Sequence, residues 1–265
     1  MSGAGILISD VRVTFPTATK TVTAVERVTQ HIPGGSFVSI VGPSGCGKST
    51  LLAVIGGLQK PSSGSVEIHG RRVTGPDRDI GFVFQEESTL PWRNVEDNVR
   101  FAMQMAGVPK AEQVKRTQES IKLVGLAGFE KSYPSMLSGG MRQRVALART
   151  LALQPDVVLM DEPFAALDQQ TRIFLGAEVR DIWARTQQTI VFVTHDISEA
   201  ILLSEQVWVM SYRPGTIIDV IDVDLEGPRD PSIVSTPAFN DLHNRIWSSL
   251  QAESMRGFRQ EEHAL

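Results

Sequence analysis

The sequence predicts an α/β fold in which a parallel β-sheet carries helices on both faces. Short apolar, β-branched runs recur along the chain, for example at 37–41, 157–160 and 190–193, and stretches of helical periodicity separate them. Strands that alternate with helices in this way imply a parallel sheet with covered faces. The length of 265 residues suits one large α/β domain, or one domain with a subdomain.

Composition and charge exclude several classes of protein. Apolar residues make up 42% and charged residues 21% of the chain, which fits a soluble globular protein and excludes whole-chain disorder. The formal net charge of -4 argues against a broad surface for polyanions, so we expect no nucleic-acid partner. Cys46 is the one cysteine in the sequence, which excludes an intrachain disulfide and a four-cysteine zinc site.

We expect neither a membrane-spanning helix nor a signal peptide. No run of the sequence approaches the roughly 18 consecutive apolar residues that a membrane helix needs. The segment 1–5 has no basic region followed by an apolar core. Any role at a membrane is therefore expected to go through a partner.

Strand and helix signals alternate in the first quarter of the chain. Near-alternating apolar residues at 6–15, interrupted around Asp10, predict a strand pair or a bulged strand. The run 37–41 predicts a buried strand because it is short, apolar and β-branched. A glycine-rich loop follows at 42–47, and the apolar spacing at 48–56 predicts a helix.

The rest of the chain divides by the periodicity of its apolar residues. The segment 87–154 has helical periodicity and is interpreted as a mainly helical insertion or subdomain. Beyond residue 225 the chain is rich in proline and then carries apolar residues at helical spacing, which predicts a terminal amphipathic helix. Further strands are predicted at 66–68, 80–84, 157–160, 190–193 and 207–210.

The segment Gly42–Ser49 matches the phosphate-loop pattern G-x-x-x-x-G-K-[ST] in full, between a predicted strand and a predicted helix. Its glycines let successive backbone N–H groups face phosphate oxygens, and the helix N-terminus adds partial positive charge. Lys48 supplies a cation for the β- and γ-phosphates, and Ser49 supplies a hydroxyl ligand for Mg²⁺. The predicted nucleotide-binding residues of this segment, with the residue that follows it, are Gly42, Pro43, Ser44, Gly45, Cys46, Gly47, Lys48, Ser49 and Thr50.

Cys46, inside this loop, allows two interpretations. It is either a redox or catalytic thiol, or a small side chain that fills space. We favour the second interpretation, because the sequence has no further cysteine to resolve an oxidised thiol.

Two carboxylates follow the predicted strand at 157–160. In open α/β sheets, ligands lie at the carboxyl ends of the strands, so we expect Asp161 to help hold Mg²⁺, directly or through water. Glu162 is expected to polarise the attacking water as a general base. An acidic pair alone is often a solvated surface feature, but this pair ends a buried strand in a chain with a phosphate loop.

The segment Leu137–Arg144, with the sequence LSGGMRQR, resembles the signature of ABC-transporter nucleotide-binding subunits. The order of the other motifs agrees with that family along nearly the whole chain. In chain order the matching features are Phe15 as the base-stacking aromatic, the phosphate loop, Gln85, the signature, the acidic pair, the D-loop at 166–168 and His195 after a strand.

The resemblance implies a P-loop NTPase (RecA-like) core with an N-terminal antiparallel β subdomain and an inserted α-helical subdomain. It also implies hydrolysis of ATP with Mg²⁺. The implied boundaries are 1–86 for the nucleotide-binding core with the β subdomain and phosphate loop, 87–154 for the helical subdomain ending in the signature and its helix, 155–224 for the second part of the core, and 225–265 for a C-terminal helical tail.

The resemblance further implies a role for each matched residue. Phe15 would stack on adenine, whereas a lone phenylalanine is more often a core residue. Gln85 would contact Mg²⁺ or the lytic water and couple the γ-phosphate to rotation of the helical subdomain. Ser138, Gly139 and Gly140 would form a second anion site at a helix start, facing the nucleotide of the other subunit.

Two further matched residues have an alternative role in the fold. His195 would hydrogen-bond the γ-phosphate, or it is a satisfied histidine at the edge of the core. Asp168 would belong to the nucleotide site through the D-loop, or it caps the helix that starts at Gln169. The implied catalytic residues are Glu162, His195, Gln85 and Lys48, and the implied metal ligands are Ser49, Gln85 and Asp161.

Two residues depart from the family pattern. Met141 stands where glutamine is most often found, which removes one polar contact and leaves the Ser-Gly-Gly part intact. Phe15 replaces the more usual tyrosine and lacks its hydroxyl.

Three segments, at 85–92, 137–144 and 210–215, resemble importers of the nitrate, sulfonate and taurine type. This implies an ATPase subunit that energises an importer for a small anion such as nitrate, taurine or an alkanesulfonate. The implied assembly is a head-to-tail dimer of two copies with shared ATP sites, peripheral on the cytoplasmic face of the inner membrane. Its implied partners are integral membrane permease subunits and, indirectly, a periplasmic or lipid-anchored solute-binding protein.

The apolar run Leu90–Trp92 has two interpretations. Such a run is costly to leave in water and suits a groove that receives a short helix from a membrane subunit. Alternatively, Trp92 packs inside the helical subdomain, as aromatic residues often do.

Two other classes of protein compete with a transporter subunit. A soluble ABC-type ATPase not coupled to transport usually carries two cassettes or a long coiled-coil insertion, and this sequence has one cassette and no heptad run. A P-loop kinase or GTPase would leave the Ser-Gly-Gly signature unexplained, and the sequence has no Asn-Lys-x-Asp motif for guanine.

Overall fold

Two β-sheets and seven helices make up the part of the chain that the computed structural model describes, which is residues 5–17, 21–86, 88–165, 167–225, 229 and 231–262, with the backbone alone at 231 and 258–262. In chain order the elements are β1 (Ile6–Pro16), β2 (Thr21–Ile32), β3 (Phe37–Val41), α1 (Lys48–Ile55), β4 (Ser63–Ile68), β5 (Arg71–Arg72), β6 (Ile80–Val83), α2 (Val95–Met105), α3 (Lys110–Leu123), α4 (Gly139–Ala152), β7 (Val157–Asp161), α5 (Gln169–Thr186), β8 (Thr189–Val193), α6 (Ile197–Leu203), β9 (Gln206–Met210), β10 (Ile217–Asp222) and α7 (Pro237–Glu262). Short 3-10 turns lie at Pro134–Met136 and Pro231–Ser235.

The central sheet has six strands in the order β10-β9-β3-β8-β7-β6, and all but β10 run parallel. Every residue of β3 and β8 is buried, as expected for strands covered on both faces. This confirms the predicted parallel sheet. Because parallel strands point the same way, the loops after β3, β7 and β8 meet at one edge, where ligands of open α/β sheets lie.

The second sheet is antiparallel, with the order β2-β1-β4-β5, and confirms the N-terminal β subdomain that the resemblance implied. In β1 the register shifts around Asp10, whose φ is 48°, so the segment is one bulged strand. Strand β2 was not predicted. It carries Ala24, whose carbonyl oxygen would lie 2.7 Å from a Cβ at Gly47, so this sheet reaches the phosphate loop.

Helices α2, α3 and α4 pack together, which confirms the helical character predicted for 87–154. Their contact is an apolar cluster that includes Val99, Met103, Ile121 and Leu147. The exact boundaries of the four predicted units stay a prediction, and Glu87 lies outside the described residues.

The long helix α7 confirms the predicted amphipathic helix at the end of the chain. Its buried face carries Phe239 and Ile246 and packs against α6 and β9. Residues 226–228 and 230, at the start of the predicted tail, lie outside the described part of the chain. None of the described helices combines the length and apolarity that a membrane span requires.

Candidate functional site

The phosphate loop connects the buried strand β3 to helix α1 at the carboxyl edge of the central sheet. Gly45 and Gly47 have positive φ angles of 71° and 107°, a region that favours glycine. Gly47 must also lack a Cβ, because that atom would lie 2.7 Å from the Ala24 carbonyl oxygen. These glycines let the backbone curl so that its N–H groups can face an anion.

Lys48 lies folded over this loop. Its Nζ donates to the carbonyl oxygens of Gly42, at 2.8 Å, and Pro43, at 3.0 Å. The residue is only 6% exposed, and it makes no ion pair with any residue that the structure describes. A buried ammonium whose partners are neutral carbonyls is a strong attractor for a phosphate group.

Cys46 fills space beneath the loop. It is fully buried in an apolar cluster that includes Leu51 and Trp208. Burial raises the pKa of its thiol, and the nearby charges of Lys48 and Arg213 oppose that rise. A buried, neutral thiol is a poor nucleophile, which favours the space-filling interpretation.

Ser49 and Asp161 join the phosphate loop to the end of β7. The Ser49 hydroxyl donates to Asp161 Oδ1 at 2.9 Å. Burial raises the pKa of the Asp161 carboxyl, while the Ser49 hydrogen bond lowers it. Two oxygen atoms that could bind a metal ion, the Ser49 hydroxyl from α1 and an Asp161 carboxylate oxygen from β7, therefore lie side by side next to the loop.

Glu162 and His195 form a second pair at this edge. Glu162 Oε2 lies 3.1 Å from His195 Nδ1. Glu162 has a φ of 43°, a left-handed conformation that costs about 1–2 kcal/mol for a residue with a Cβ. Its N–H donates to the Val193 carbonyl oxygen at 2.9 Å, which helps to hold that conformation. The Glu162 carboxylate thus lies directly after β7 and beside His195, which is two residues after β8.

Gln85 lies two residues after β6, and its side chain is exposed. Strand β6 pairs with β7, which ends in the acidic residues, so Gln85 is at the same edge. Helix α4 holds its segment, because Gln143 Nε2 donates to the Phe84 carbonyl at 3.2 Å and Arg149 Nη1 donates to the Ser88 carbonyl at 2.7 Å. Sequence reasoning missed both contacts, since nothing in the helical pattern of α4 marks these two residues.

The signature residues begin helix α4. The exposed Ser138 caps the helix, its Oγ accepting from the Met141 N–H at 3.3 Å. A Cβ at Gly140 would lie 2.7 Å from Leu167 Cδ2, so the signature helix and the D-loop are in contact. Among the described residues no hydrogen bond joins Ser138, Gly139 or Gly140 to the phosphate loop of the same chain.

Asp168 caps helix α5, as one of its two predicted roles required. Its side chain accepts from the Thr171 N–H at 3.0 Å, and this bond lowers the pKa of the Asp168 carboxyl. A contact between Asp168 and nucleotide stays a prediction. Ala166, the first residue of the predicted D-loop, lies outside the described residues.

Phe15 lies near the end of β1, next to the strand β2 that touches the phosphate loop. It follows the buried Val13 by two residues and is itself 40% exposed. Its partner in the sheet is Val22. Phe15 therefore is not a core residue, and its exposed ring is available for stacking.

Trp92 projects from a turn that the buried Asn98 organises. Asn98 accepts from the Leu90 N–H and donates to the carbonyls of Leu90, Arg93 and Asn94. The turn is thus held by four hydrogen bonds, while Trp92 is 72% exposed. The alternative in which Trp92 packs inside the helical subdomain is wrong.

Comparison with known proteins identifies the family. Residues 25–165, more than half of the chain, match the family described as ABC transporter.

The chain belongs to the ABC transporter family.

Relatives and solved structures of this ABC family agree with that match. The nitrate import ATP-binding protein NrtD of Synechocystis is 45% identical over 223 residues, which cover 84% of this chain and 84% of that protein. The aliphatic sulfonates import ATP-binding protein SsuB of Bacillus thuringiensis is 42% identical over 241 residues, which cover 91% and 94%. A solved dimeric ATP-binding cassette in a post-hydrolysis state, bound to ADP and Pi, has a TM-score of 0.75 and 33% identity, and the match covers 83% of this chain and 100% of that one.

The fold is accordingly that of a P-loop NTPase, and the chain is an ATPase of the ABC type. The matched range includes the phosphate loop, Gln85, the signature and the acidic pair. Asp168 and His195 lie beyond it; His195 contacts Glu162, whereas Asp168 caps helix α5, and their roles toward nucleotide stay predictions.

Proposed function

We propose that this ABC ATPase energises an importer for a small anion such as nitrate, taurine or an alkanesulfonate. The observation that carries the ATP hydrolysis is the meeting of two pairs, Ser49 with Asp161 and Glu162 with His195, beside a phosphate loop whose lysine forms no ion pair with the described residues. Two relatives are named for the import of nitrate and of aliphatic sulfonates, which supports the choice of cargo class.

Mg²⁺ would be held by Ser49 and Asp161, with Gln85 as a third candidate. The Ser49 hydroxyl and an Asp161 carboxylate oxygen are 2.9 Å apart, and both are hard oxygen donors of the kind that Mg²⁺ prefers. No group of three or more histidine, cysteine or acidic residues in the described part of the chain could hold a metal, so phosphate oxygens and water would complete the coordination. When bound, the ion would neutralise charge on the β- and γ-phosphates.

Four side chains would carry the hydrolysis of ATP. Lys48 would exchange its carbonyl partners for phosphate oxygens. Glu162 would accept a proton at Oε2 from the attacking water, whose oxygen forms a bond to the γ-phosphorus as the bond to the β-phosphate oxygen breaks. His195, which lies 3.1 Å from that carboxylate, would orient it and hydrogen-bond the γ-phosphate. Gln85 would position the water.

The ATP site would be completed by a second copy of the chain. Ser138 is exposed at the N-terminus of α4, where backbone N–H groups can bind an anion. In a head-to-tail dimer this helix start would face the γ-phosphate on the partner copy. The dimeric state named for the solved cassette supports this arrangement.

The chain would be a peripheral subunit on the cytoplasmic face of the inner membrane, bound to permease subunits. The exposed Trp92, on a turn fixed by Asn98, is the candidate contact for a short helix of the permease. A solute-binding protein outside the membrane would select the cargo and act on this chain only through the permease. A soluble ATPase not coupled to transport is the alternative.

The proposed catalysis is tested by measuring phosphate release from Mg-ATP in wild-type and Glu162→Gln proteins. Glutamine keeps the size and hydrogen-bonding capacity but cannot accept the proton, so we expect kcat to fall by about 10²–10⁴-fold while ATP still binds. A rate in Glu162→Gln close to that of wild type would remove Glu162 from the role of base.

A second experiment distinguishes an importer subunit from a soluble ATPase. In an importer, ATP turnover should rise when the permease and the loaded binding protein are added.

A further inference from the structure

The turn at 211–216, which joins β9 to β10, lies directly against the phosphate loop. Arg213 Nε and Nη2 donate to the Gly45 carbonyl oxygen at 3.0 and 2.8 Å. Gly215 approaches the same loop so closely that a Cβ there would be 2.0 Å from the Cys46 carbonyl oxygen. Two consecutive residues of the loop therefore direct their carbonyl groups at this turn.

The orientation of the Gly45 carbonyl matters for anion binding. When successive N–H groups of a loop face a phosphate, the carbonyls point outward and need partners of their own. Gly45 has a φ of 71°, which only glycine adopts without strain, so its peptide orientation is not fixed by local sterics. A guanidinium donor makes a stronger bond to such a carbonyl than a neutral donor does, and its two N–H groups define a direction.

The positive charge of Arg213 also acts on groups within the phosphate loop. Burial raises the pKa of the Cys46 thiol, and the positive charges of Lys48 and Arg213 both oppose that rise. A cation at this position favours a negative ligand in the loop in the same way.

Helix α7 holds the turn from the opposite side. The Tyr212 N–H donates to Glu253 Oε2 at 2.9 Å, and Glu253 is 5% exposed. A Cβ at Gly257 would lie 2.8 Å from the Tyr212 ring, so the helix and the ring are in close contact. The residue before Arg213 is thus fixed by the C-terminal helix.

We propose that Arg213 is a positioning residue for the ATP site. Arg213 holds the Gly45 carbonyl pointing out of the phosphate loop and so keeps the loop N–H groups aligned toward the nucleotide. Helix α7 positions Arg213 through the hydrogen bond between Glu253 and Tyr212. The inference rests on the proposed binding of ATP at the phosphate loop. Because Arg213 acts on the loop before nucleotide arrives, it contributes to affinity and not to the chemical step.

The test compares ATP and ADP binding in the full-length wild-type, Arg213→Ala and Arg213→Lys proteins. Loss of a charge-assisted hydrogen bond in Arg213→Ala should raise the dissociation constants of ATP and ADP about tenfold. The KM for ATP should rise by a similar factor, while kcat at saturating ATP should stay within about twofold of the wild-type value. Lysine keeps the charge and has one donor nitrogen in place of the two that Arg213 uses, so it should restore part of the affinity. Arg72→Ala is the matched control, because Arg72 donates at 3.1 Å to the carbonyl of Gly64, another glycine with positive φ, in the N-terminal sheet.

Helix α7 is tested with Glu253→Ala and Glu253→Gln. Alanine removes the hydrogen bond between Glu253 and the Tyr212 N–H, so ATP affinity should fall in the same direction as in Arg213→Ala. Glutamine can still accept that bond and should bind ATP as the wild type does. A Glu253→Ala protein with wild-type affinity would overturn the part of the proposal that concerns α7.

Two results would overturn the role of Arg213. One is unchanged ATP affinity in Arg213→Ala, including the case in which only the melting temperature of the nucleotide-free protein falls. The other is a fall in kcat with an unchanged dissociation constant, which would place Arg213 in the chemical step. A wild-type protein that fails to bind ATP would contradict the proposed function instead.

Discussion

At Asp161, burial favours the protonated carboxyl group, whereas metal binding requires the ionised carboxylate. Burial raises its pKa above the ordinary value of 3.8, and the neighbouring charge of Glu162 acts in the same direction. The hydrogen bond from Ser49 and the charge of Lys48 oppose the rise. The ionised carboxylate therefore costs stability at neutral pH, whereas a bound Mg²⁺ would need that ionised form.

We expect Asp161→Asn to separate stability from activity. A neutral amide avoids the burial of a charge, so the melting temperature of the nucleotide-free protein at pH 7 should equal or exceed that of wild type. Mg-ATP hydrolysis should fall on the order of a hundredfold, because a metal ligand is lost. Calorimetry and a phosphate-release assay on the same preparations measure both effects.

The difference in melting temperature between Asp161→Asn and wild type depends on pH in a definite direction. The folded-state pKa of Asp161 lies above its unfolded value of 3.8, so the stabilisation from its protonated form is complete only below about pH 4. That stabilisation is lost as the pH rises through the folded-state pKa. The advantage of Asp161→Asn in melting temperature should therefore shrink between pH 7 and pH 4, and an advantage that grows over this range would refute the explanation.

The site residues that the sequence predicts from the residues alone belong to short local patterns. Lys48 and Ser49 belong to one loop, and Asp161 and Glu162 end one strand, so their spacing along the chain is fixed by the site itself. Arg213 could not be found this way. It contacts Gly45 across 168 residues, and only the pairing of β9 with β3 brings the two together.

Among the elements, the turn before α2 carries the surface that we propose as the contact for the permease. Trp92 is 72% exposed there, and its removal deletes no core contact. We expect Trp92→Ala to change the free energy of unfolding by less than about 0.5 kcal/mol while weakening co-purification with the permease about tenfold or more.

Trp247→Ala is the matched control for this experiment, because Trp247 is also exposed, at 54%, but lies on α7. It should leave assembly intact. A Trp92→Ala protein that melts much earlier and still assembles fully would instead make Trp92 a structural residue.

The strands that the sequence did not predict are β2, β5 and β10, and all three lie at a sheet edge. An edge strand has a neighbour on one side only, so many of its side chains remain in water and its apolar alternation is weak. The inner strands β3, β7 and β8 were predicted because both of their faces are covered and the runs are almost wholly apolar. The helical segments were recognisable from their amphipathic spacing, which packing on one side requires.

At the scale of the whole molecule, one chain carries one phosphate loop and one signature. Lys48 lies over its own loop, while the exposed Ser138 caps a helix in the α2–α4 cluster. Two copies placed head to tail would bring each signature onto the partner's loop, and such an arrangement closes as a two-fold dimer. ATP would then join the copies through its phosphates, and hydrolysis with phosphate release would weaken that attraction.

The most direct test of this shared site is ATP turnover in a verified mixed dimer of Lys48→Ala and Ser138→Arg chains. If sites form between copies, the mixed dimer has one intact site and one doubly altered site, so we expect partial hydrolysis or occlusion of ATP that neither variant gives alone. Occlusion is measured beside hydrolysis, because turnover fails if both sites must be intact. If each chain builds its own site, every site is broken, and a mixed dimer with neither hydrolysis nor occluded ATP would contradict the shared site.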